Sequence, residues 1–302
     1  MFANVLGTIK GVLTVLTITV YTVLAMIPLT LFAIGKVLSP TRGIRDFFSK
    51  LLVLVVEAWS GCNNFMISLY RGTKWDIQIP GGLDHKGHYV VTCNHQSWVD
   101  ILALQKCFNR KIPLLTFFIK HELIYIPLLG FAWWALDYPF MRRYSRAEVA
   151  KNPSLAGKDL ESARIACDRL KEIPFAMMSF PEGTRFSAAK RDKTNSPYQN
   201  LLKPKVGGIG VVLYALGDRL QSVIDVTIVY PSKEDGAGAP SFWDLLTGKV
   251  PEIITQAREI EIPGHLLGRN FRSDRDIRRE LESWINQVWQ EKDARIAQLK
   301  SL

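Results

Sequence analysis

The sequence predicts an α/β fold, on three observations. From about residue 74 onward, short β-branched and apolar runs alternate with stretches of helical periodicity, the pattern of strands joined by helices. Two of these runs stop abruptly in polar turns, where α/β proteins tend to place their chemistry. Finally, 302 residues with 48% hydrophobic and 22% charged side chains can bury a sizeable core and are too apolar for disorder. No internal repeat interrupts the pattern.

A membrane-embedded two-helix segment is expected before this pattern begins. Residues 11–35 carry no charge over 25 positions, bracketed by Lys10 and Lys36. That exceeds the ~20 apolar residues a bilayer span needs. Pro28 is a candidate kink. The connection that follows carries Lys36, Arg42, Arg45 and Lys50 against one acid, Asp46, and positive flanks favour the cytoplasmic side. A second apolar run, 51–70, is interrupted by Glu57 and by Gly61-Cys62-Asn63-Asn64. If both runs crossed, the bulk of the chain would lie opposite the basic loop, against the charge rule. The expectation is an anchor at 11–35, an interfacial or re-entrant 51–70, and a cytoplasmic remainder. A shallow hairpin in which neither run crosses is the alternative. The chain thus divides into membrane-anchoring helices, 1–72, and an α/β domain, 73–302.

Within that domain Trp75-Asp76-Ile77-Gln78-Ile79 alternates like a strand and is closed by Pro80-Gly81-Gly82. Residues 88–93 form a second strand, and a helix starts after Ser97. The run 112–119 reads as a buried strand. Residues 124–136, with Trp133 beside Trp134, serve as core or as membrane contact. A short strand at 138–141 ends in Arg142-Arg143, followed by a mobile basic loop at 145–158 and a helix at 159–172. Residues 174–180 are a buried strand, 187–200 a polar surface loop, 206–216 a glycine-containing helix and 223–230 another buried strand. Ser273 is placed to cap a long amphipathic helix whose apolar face includes Ile277, Leu281, Trp284, Ile285 and Val288.

A net charge of +10 predicts an anionic partner, for which nucleic acid and an acidic membrane surface are the usual candidates. No nucleic-acid module is recognisable, and the N-terminal apolar run favours an anionic phospholipid membrane. Cys62, Cys93, Cys107 and Cys167 form no CxxC pair and no zinc-type spacing with histidine. Neither a metal site nor a disulfide framework is predicted, and a reducing compartment is the default.

The chemistry concentrates at Cys93-Asn94-His95-Gln96-Ser97-Trp98-Val99-Asp100. His95 falls where a strand stops and a helix begins, and Asp100 follows five residues later. On an ideal helix that spacing turns the two side chains about 140° apart. They meet only if His95 precedes the helix and Asp100 lies in its first turn, an arrangement that suits a histidine base held by a carboxylate. Ser97 and Asp100 equally fit a capping box, in which an acid is favoured whether or not anything reacts nearby. The second informative point is Phe180-Pro181-Glu182-Gly183-Thr184-Arg185, a turn at the end of a strand. Glycine permits a tight turn, and arginine can grip a phosphate in bidentate fashion. Glu182 and Arg185 also read as a plain surface pair.

Together, Asn94-His95-Gln96-Ser97-Trp98-Val99-Asp100 and Phe180-Pro181-Glu182-Gly183-Thr184-Arg185 resemble the glycerophospholipid acyltransferase family, which includes the lysophosphatidate acyltransferases. Lys120-His121-Glu122-Leu123, with Pro127, Gly130 and Phe140 to Arg143, is similar to the family's second block. The resemblance covers residues 84–230. It departs at Asp137, where the family often has glycine, and at Asp225-Val226-Thr227-Ile228-Val229-Tyr230, which lacks the usual central proline. With Leu201-Leu202-Lys203-Pro204-Lys205, these features look like the branch holding longer lysophosphatidate and lysocardiolipin acyltransferases and some bacterial paralogues.

The resemblance implies a mixed central sheet flanked by helices, the glycerol-3-phosphate acyltransferase-like fold. It implies His95 as general base and Asp100 as its orienting partner, with no acyl-enzyme and no metal. Substrate phosphate is assigned to Glu182, Gly183, Thr184 and Arg185, with Lys120 and Arg143 as second-block contributors. Asn94 is expected to fix local backbone. No bound cofactor is implied. Acyl-CoA or acyl-acyl carrier protein would be the donor and a lysophospholipid the acceptor, most simply 1-acylglycerol 3-phosphate. Residues 124–136 then become candidates for an acyl-chain channel. A cytoplasm-facing site on a membrane, the inner membrane in a bacterium, follows. The competing readings are remodelling of another lysophospholipid and a non-catalytic basic membrane protein of the same fold. A serine hydrolase would need a G-x-S-x-G elbow, which is absent.

Overall fold

The computed structural model describes residues 2–69, 72–142, 146–152, 154, 161, 162, 164, 165, 167, 173–231 and 238–301. Two long helices come first, α1 (Phe2–Leu38) and α2 (Arg42–Leu69). The sequence then runs β1 (Lys74–Gln78), β2 (His88–Cys93), α3 (Val99–Phe108), β3 (Leu115–Phe117), β4 (Ile119–Lys120), α4 (Leu129–Ala135), β5 (Phe140–Met141), α5 (Arg146–Lys151) and β6 (Phe175–Ser179). It closes with α6 (Ala188–Lys193), α7 (Gly207–Leu216), β7 (Ser222–Val229), α8 (Phe242–Leu246), β8 (Glu252–Ile260) and α9 (Arg275–Lys300).

Six strands form one sheet in the order β1-β8-β7-β2-β6-β3, and β4 pairs with β5 apart from it. β7 and β8 are antiparallel and the other neighbours parallel, so the sheet is mixed, as expected. β2 lies among its neighbours with almost every residue buried, which is why it reads as a continuous apolar run rather than an alternation. Its side chains still alternate between faces. Val90 joins Phe175 and Met177 in the core beneath α7 and α9, while Tyr89 and Val91 join Ala176 and Met178 beneath α3. Helix α7 packs so closely that a Cβ on Gly210 would lie 2.8 Å from the Phe271 ring, which is why glycine sits there.

The parallel strands β7, β2 and β6 end on one edge, in register through Thr92 opposite both Ser179 and Asp225. That edge carries the segments after Cys93, Ser179 and Val229, and so gathers both sequence motifs.

Helices α1 and α2 are each long and apolar enough to cross a membrane. They pack antiparallel, tied by Tyr21 to Asn63 and by Trp59 Nε1 donating to Thr22 at 2.9 Å. Pro28 lies inside α1 without ending it, and residues 61–64 do not interrupt α2. Glu57 is not a charge facing lipid: it is 6% exposed, and its carboxylate meets His85 Nε2 at 2.6 Å. At 37 residues α1 is about 55 Å long. Both of its ends touch the α/β domain. Near one end Gly7 and Gly11 face Thr247 and Trp243, and at the other Lys36 pairs with Asp137 and donates to the Ala135 carbonyl at 2.9 Å.

Several expected elements take other forms. The run 112–119 splits between two sheets, because Phe118 separates β3 from β4. Residues 146–151 are helical rather than loop, and the described part of 159–172 is helical, most of that stretch lying outside the described residues. The polar segment 187–200 contains α6, started by Ser187, whose hydroxyl accepts from Lys190 N. The cap of α9 is Asp274, not Ser273: its carboxylate accepts from both Asp276 N and Ile277 N. Strand β8 and helix α8 were not anticipated.

Candidate active site

His95 sits in the turn between β2 and α3, and Asp100 in the first turn of α3. The imidazole Nδ1 lies 2.8 Å from Asp100 Oδ2. The same oxygen accepts from Gln96 N at 2.7 Å and Ser97 N at 2.9 Å. The capping box expected of Ser97 and Asp100 is only half made, since Ser97 N reaches the Asp100 carboxylate but Asp100 N bonds to the Ser97 carbonyl and not to its hydroxyl. One fully buried carboxylate satisfies the backbone at the helix start and holds the imidazole as well. Its other oxygen, Oδ1, accepts from the Tyr230 hydroxyl. Since a carboxylate with these partners acts as acceptor, Nδ1 carries the proton and Nε2 keeps a lone pair. The imidazole also stacks on Phe180, with centroids 4.1 Å apart and planes 21° from parallel.

The turn after β6 wraps this pair from behind. Glu182 is 1% exposed; Oε1 accepts from His95 N and Oε2 from Leu202 N, each at 2.8 Å. Phe186 N donates to the His95 carbonyl at 2.7 Å. The N–H and the carbonyl of His95 are thus fastened to the second motif and to the residue that follows it. Burial pushes the Glu182 carboxyl up to about 7, against the lowering effect of the two backbone donors. A raised acid adds stability that is complete below its ordinary value of 4.5 and is lost as pH rises through about 7. Glu182→Gln should remove that loss from a pH series of unfolding midpoints. It should also lower stability by about 1–3 kcal/mol, because the amide nitrogen leaves one backbone N–H without an acceptor.

Gly183 has φ +69°, a left-handed conformation that favours glycine, while the nearest group to a Cβ there would be the end of the flexible Lys205 side chain, which can move aside. Thr184 Oγ1 and the Arg185 carbonyl each accept from Lys190 Nζ at 2.9 Å. The Arg185 guanidinium lies 5.5 Å from the exposed Trp98 ring. Asn94 is buried and exchanges two 2.8 Å hydrogen bonds with the Ile228 peptide, fixing the backbone as expected. Ser97 Oγ accepts from Val99 N at 3.0 Å and donates to the Pro240 carbonyl.

Of the residues singled out from sequence, His95, Asp100, Glu182, Gly183, Thr184 and Arg185 come together. Lys120 is exposed on β4, 3.7 Å from Glu122. Among the described residues no hydrogen bond or ion pair joins it to the turn. Arg143 lies outside the described residues. Glu182 is in the turn, buried, with both its oxygens accepting from backbone donors. Tyr230, Phe180 and Lys190 received no role from the sequence. The first two lie within quoted motifs, whereas Lys190 stands in a polar stretch that gave no signal. Asp137, at a position where glycine is common, has φ +57°, a conformation aspartate tolerates better than most residues.

A cavity of about 510 Å³ opens between the helical hairpin and the α/β domain. Met26 and Leu29 line it from α1, Trp98 and Ile101 from the α3 end, and Trp133 and Leu136 from α4 and the residue after it. Trp98, three residues beyond His95, joins cavity and site.

The family model described as Acyltransferase matches residues 76–231, just over half of the chain. A 2-acyl-1-lysophosphatidylinositol acyltransferase of Saccharomyces cerevisiae is 26% identical over 75% of this chain and 66% of its own length. The 1-acyl-sn-glycerol-3-phosphate acyltransferase epsilon of Mus musculus is 23% identical over 63% of this chain and 54% of its own, and the human delta protein 24% over 82% and 60%. The chain therefore spans between about half and two thirds of these relatives. The crystal structure of the 1-acyl-sn-glycerophosphate acyltransferase PlsC from Thermotoga maritima superimposes with a TM-score of 0.56 at 15% identity, covering 97% of this chain and 98% of that one, and shows the shared fold. With the family model spanning the sheet edge that carries both motifs, the chain belongs to the glycerophospholipid acyltransferase family.

Proposed function

We propose that the protein transfers a fatty acyl chain from an acyl thioester to the free hydroxyl of a lysophospholipid. The observation that carries this reading is the His95–Asp100 pair, held through Nδ1, with Trp98 of the same turn lining an apolar cavity and lying under the Arg185 guanidinium. His95 Nε2 takes the proton of the acceptor hydroxyl as its oxygen attacks the thioester carbonyl. The tetrahedral intermediate collapses with loss of the thiol sulfur, which receives the proton from the imidazolium. Asp100 holds the ring and stabilises its charge throughout. Glu182 acts here as an anchor of the His95 backbone rather than as a substrate contact. The acyl chain occupies the cavity, whose size suits a small-ligand pocket.

The acceptor we favour is 1-acylglycerol 3-phosphate, because Arg185 can hold a phosphate at the edge of the site, flanked by Gly183 and Thr184. Lys120 and Arg143 are assigned to the same phosphate on the family resemblance alone. The yeast relative favours a second reading, a lysophosphatidylinositol-type acceptor. Acyl-CoA and acyl-acyl carrier protein both fit as donors. Contacts of α1 with the α/β domain at both ends support a hairpin embedded in one leaflet rather than a crossing anchor. The basic connection at Lys36, Arg42, Arg45 and Lys50 then meets anionic headgroups on the cytoplasmic side.

Thiol release by the detergent-purified protein, with each donor against a panel of lysophospholipids, tests the reading. Rapid turnover with 1-acylglycerol 3-phosphate supports it, turnover only with another lysolipid moves the protein to remodelling, and none with any pair overturns it. Arg185→Ala should raise KM for a phosphorylated acceptor about 10-fold or more, the scale of a lost charge-assisted hydrogen bond. An equal loss with a neutral acceptor would contradict the phosphate role.

A further inference from the structure

We propose that Tyr230 is a positioning residue for acyl transfer, pinning the Asp100 oxygen that His95 does not use so that the imidazole is held in one orientation. The proposal rests on the reading of His95 as the base.

Asp100 Oδ2 receives three donors: His95 Nδ1, Gln96 N and Ser97 N. All three belong to the six-residue segment that starts at His95, so they move with the turn that carries them. They fix one oxygen, but the final torsion of an aspartate is broad and roughly two-fold, so one fixed oxygen does not settle the plane of the carboxylate. Tyr230 supplies the missing constraint. Its hydroxyl donates to Oδ1 at 2.5 Å, from a segment 130 residues away in sequence. The ring is itself held in register, since Tyr230 follows β7 directly and the Ile228 peptide is bound on both its N–H and its carbonyl by Asn94, next to His95. Farther along the same connection the Pro240 carbonyl accepts from Ser97 Oγ, a second tie across the start of α3.

Among the described residues the hydroxyl has no hydrogen-bond partner besides Asp100, and it stays a donor. Burial and the neighbouring Asp100 push the phenol well above its ordinary range. The ionisable groups around the pair besides Tyr230 are the buried Cys93, Glu182 and Lys292, with Asp225 behind them. None of these is among the hydrogen-bond partners of the Asp100 carboxylate. During transfer the acceptor proton moves to His95 Nε2 and on to the leaving thiol, and Tyr230 keeps its own proton throughout. Its contribution is geometric and electrostatic: a donor on Oδ1 withdraws part of the negative charge that Asp100 offers the imidazolium.

Tyr230→Phe keeps the ring and removes only that donor. In the full chain, purified in detergent and assayed by thiol release, kcat should fall about tenfold, a fraction of the ~10²–10⁴ that a positioned acid–base group supplies. KM for acceptor and donor should stay within about twofold. The acid limb of the kcat/KM profile should move to higher pH by about half a unit, because the undiluted carboxylate stabilises the imidazolium more. A purely structural role would not move that limb. Fluorination of the Tyr230 ring beside the hydroxyl strengthens the donor at nearly constant shape and should move the limb the other way. If Tyr230→Phe does not fold, the fluorinated protein decides alone, and an unmoved limb overturns the proposal. Unchanged kcat and profile in Tyr230→Phe, or a rise in KM with kcat intact, overturns it as well. His95→Ala in the same assay separates the two levels: turnover without His95 overturns the base assignment. An inactive His95→Ala beside an unaltered Tyr230→Phe overturns the Tyr230 inference alone.

Discussion

His95→Ala is expected to reduce turnover by about 10²–10⁴, the span a positioned general base contributes, with KM for both substrates little changed. The prediction is sharp because the imidazole does little for the fold. Its side chain is 18% exposed and its packing partner is the Phe180 ring. The backbone contacts of His95 with Glu182 and Phe186 do not depend on its side chain. Unfolding should therefore shift by only about 1 kcal/mol, within the range of an ordinary substitution. Asp100→Asn makes the informative contrast. An amide offers one oxygen where the carboxylate serves four donors, so the imidazole and the N–H groups of Gln96 and Ser97 compete for it. That variant should lose activity to a similar degree and also lose about 1–3 kcal/mol of stability through unsatisfied buried groups. Thiol release and thermal unfolding on the two variants check both statements. Substantial turnover by a well-folded His95→Ala protein would remove the base from the mechanism.

The contrast also shows which parts of the site can be read in the sequence. His95 and Asp100 are five residues apart and share one turn, so spacing and secondary structure suffice to bring them together. The turn after β6 is equally local, and its glycine announces the left-handed conformation that Gly183 adopts. The central strands are legible because buried parallel strands are apolar throughout. What fails is direction and distance. Nothing in Glu182 says that its carboxylate turns inward to hold the backbone of a residue 87 positions earlier. Tyr230 looks like the end of a strand until the fold sets it against Asp100. Ser273 and Asp274 are both good caps one position apart, and only the backbone decides that Asp274 takes the role. Strand β8 escaped because it borders β7 on one side and the short β1 on the other, with a half-exposed far end that mixes polar and apolar residues. Asp137 is the instructive intermediate case. Its departure from glycine is visible in the sequence, but the reason it is tolerated, a left-handed backbone and an ion pair with Lys36, is not.

Lys292→Met should destabilise the protein by about 3–5 kcal/mol, the cost of breaking a buried ion pair from one side. Lys292 lies on α9, beside Trp289 on the helix face that packs against the sheet, with a fully buried side chain. Its ammonium sits 2.7 Å from Asp225 Oδ1, donates to the Val226 carbonyl at 2.6 Å and lies 4.7 Å from the Trp289 ring centroid. Asp225 is 1% exposed in β7, where its carboxylate also accepts from Thr92 Oγ1 at 2.8 Å and meets Arg258 Nε at 3.2 Å. Methionine fills a similar volume but leaves Asp225, among the described residues, with a hydroxyl and a half-exposed guanidinium as partners. For a domain of this size the midpoint should drop by about 10 °C. Pairing the change with Asp225→Asn removes the stranded charge and should recover a large part of the loss, as a coupled pair does. The site should feel the same change, because Thr92 and Asp225 stand opposite each other in β2 and β7, two or three residues before Asn94 and Ile228 lock the strand ends that carry His95 and Tyr230. Lys292→Met should then lower kcat at temperatures well below its own midpoint. A protein that keeps the wild-type midpoint would show that the pair contributes no net stability. Wild-type kcat in a destabilised Lys292→Met would show that the sheet interior and the site are uncoupled.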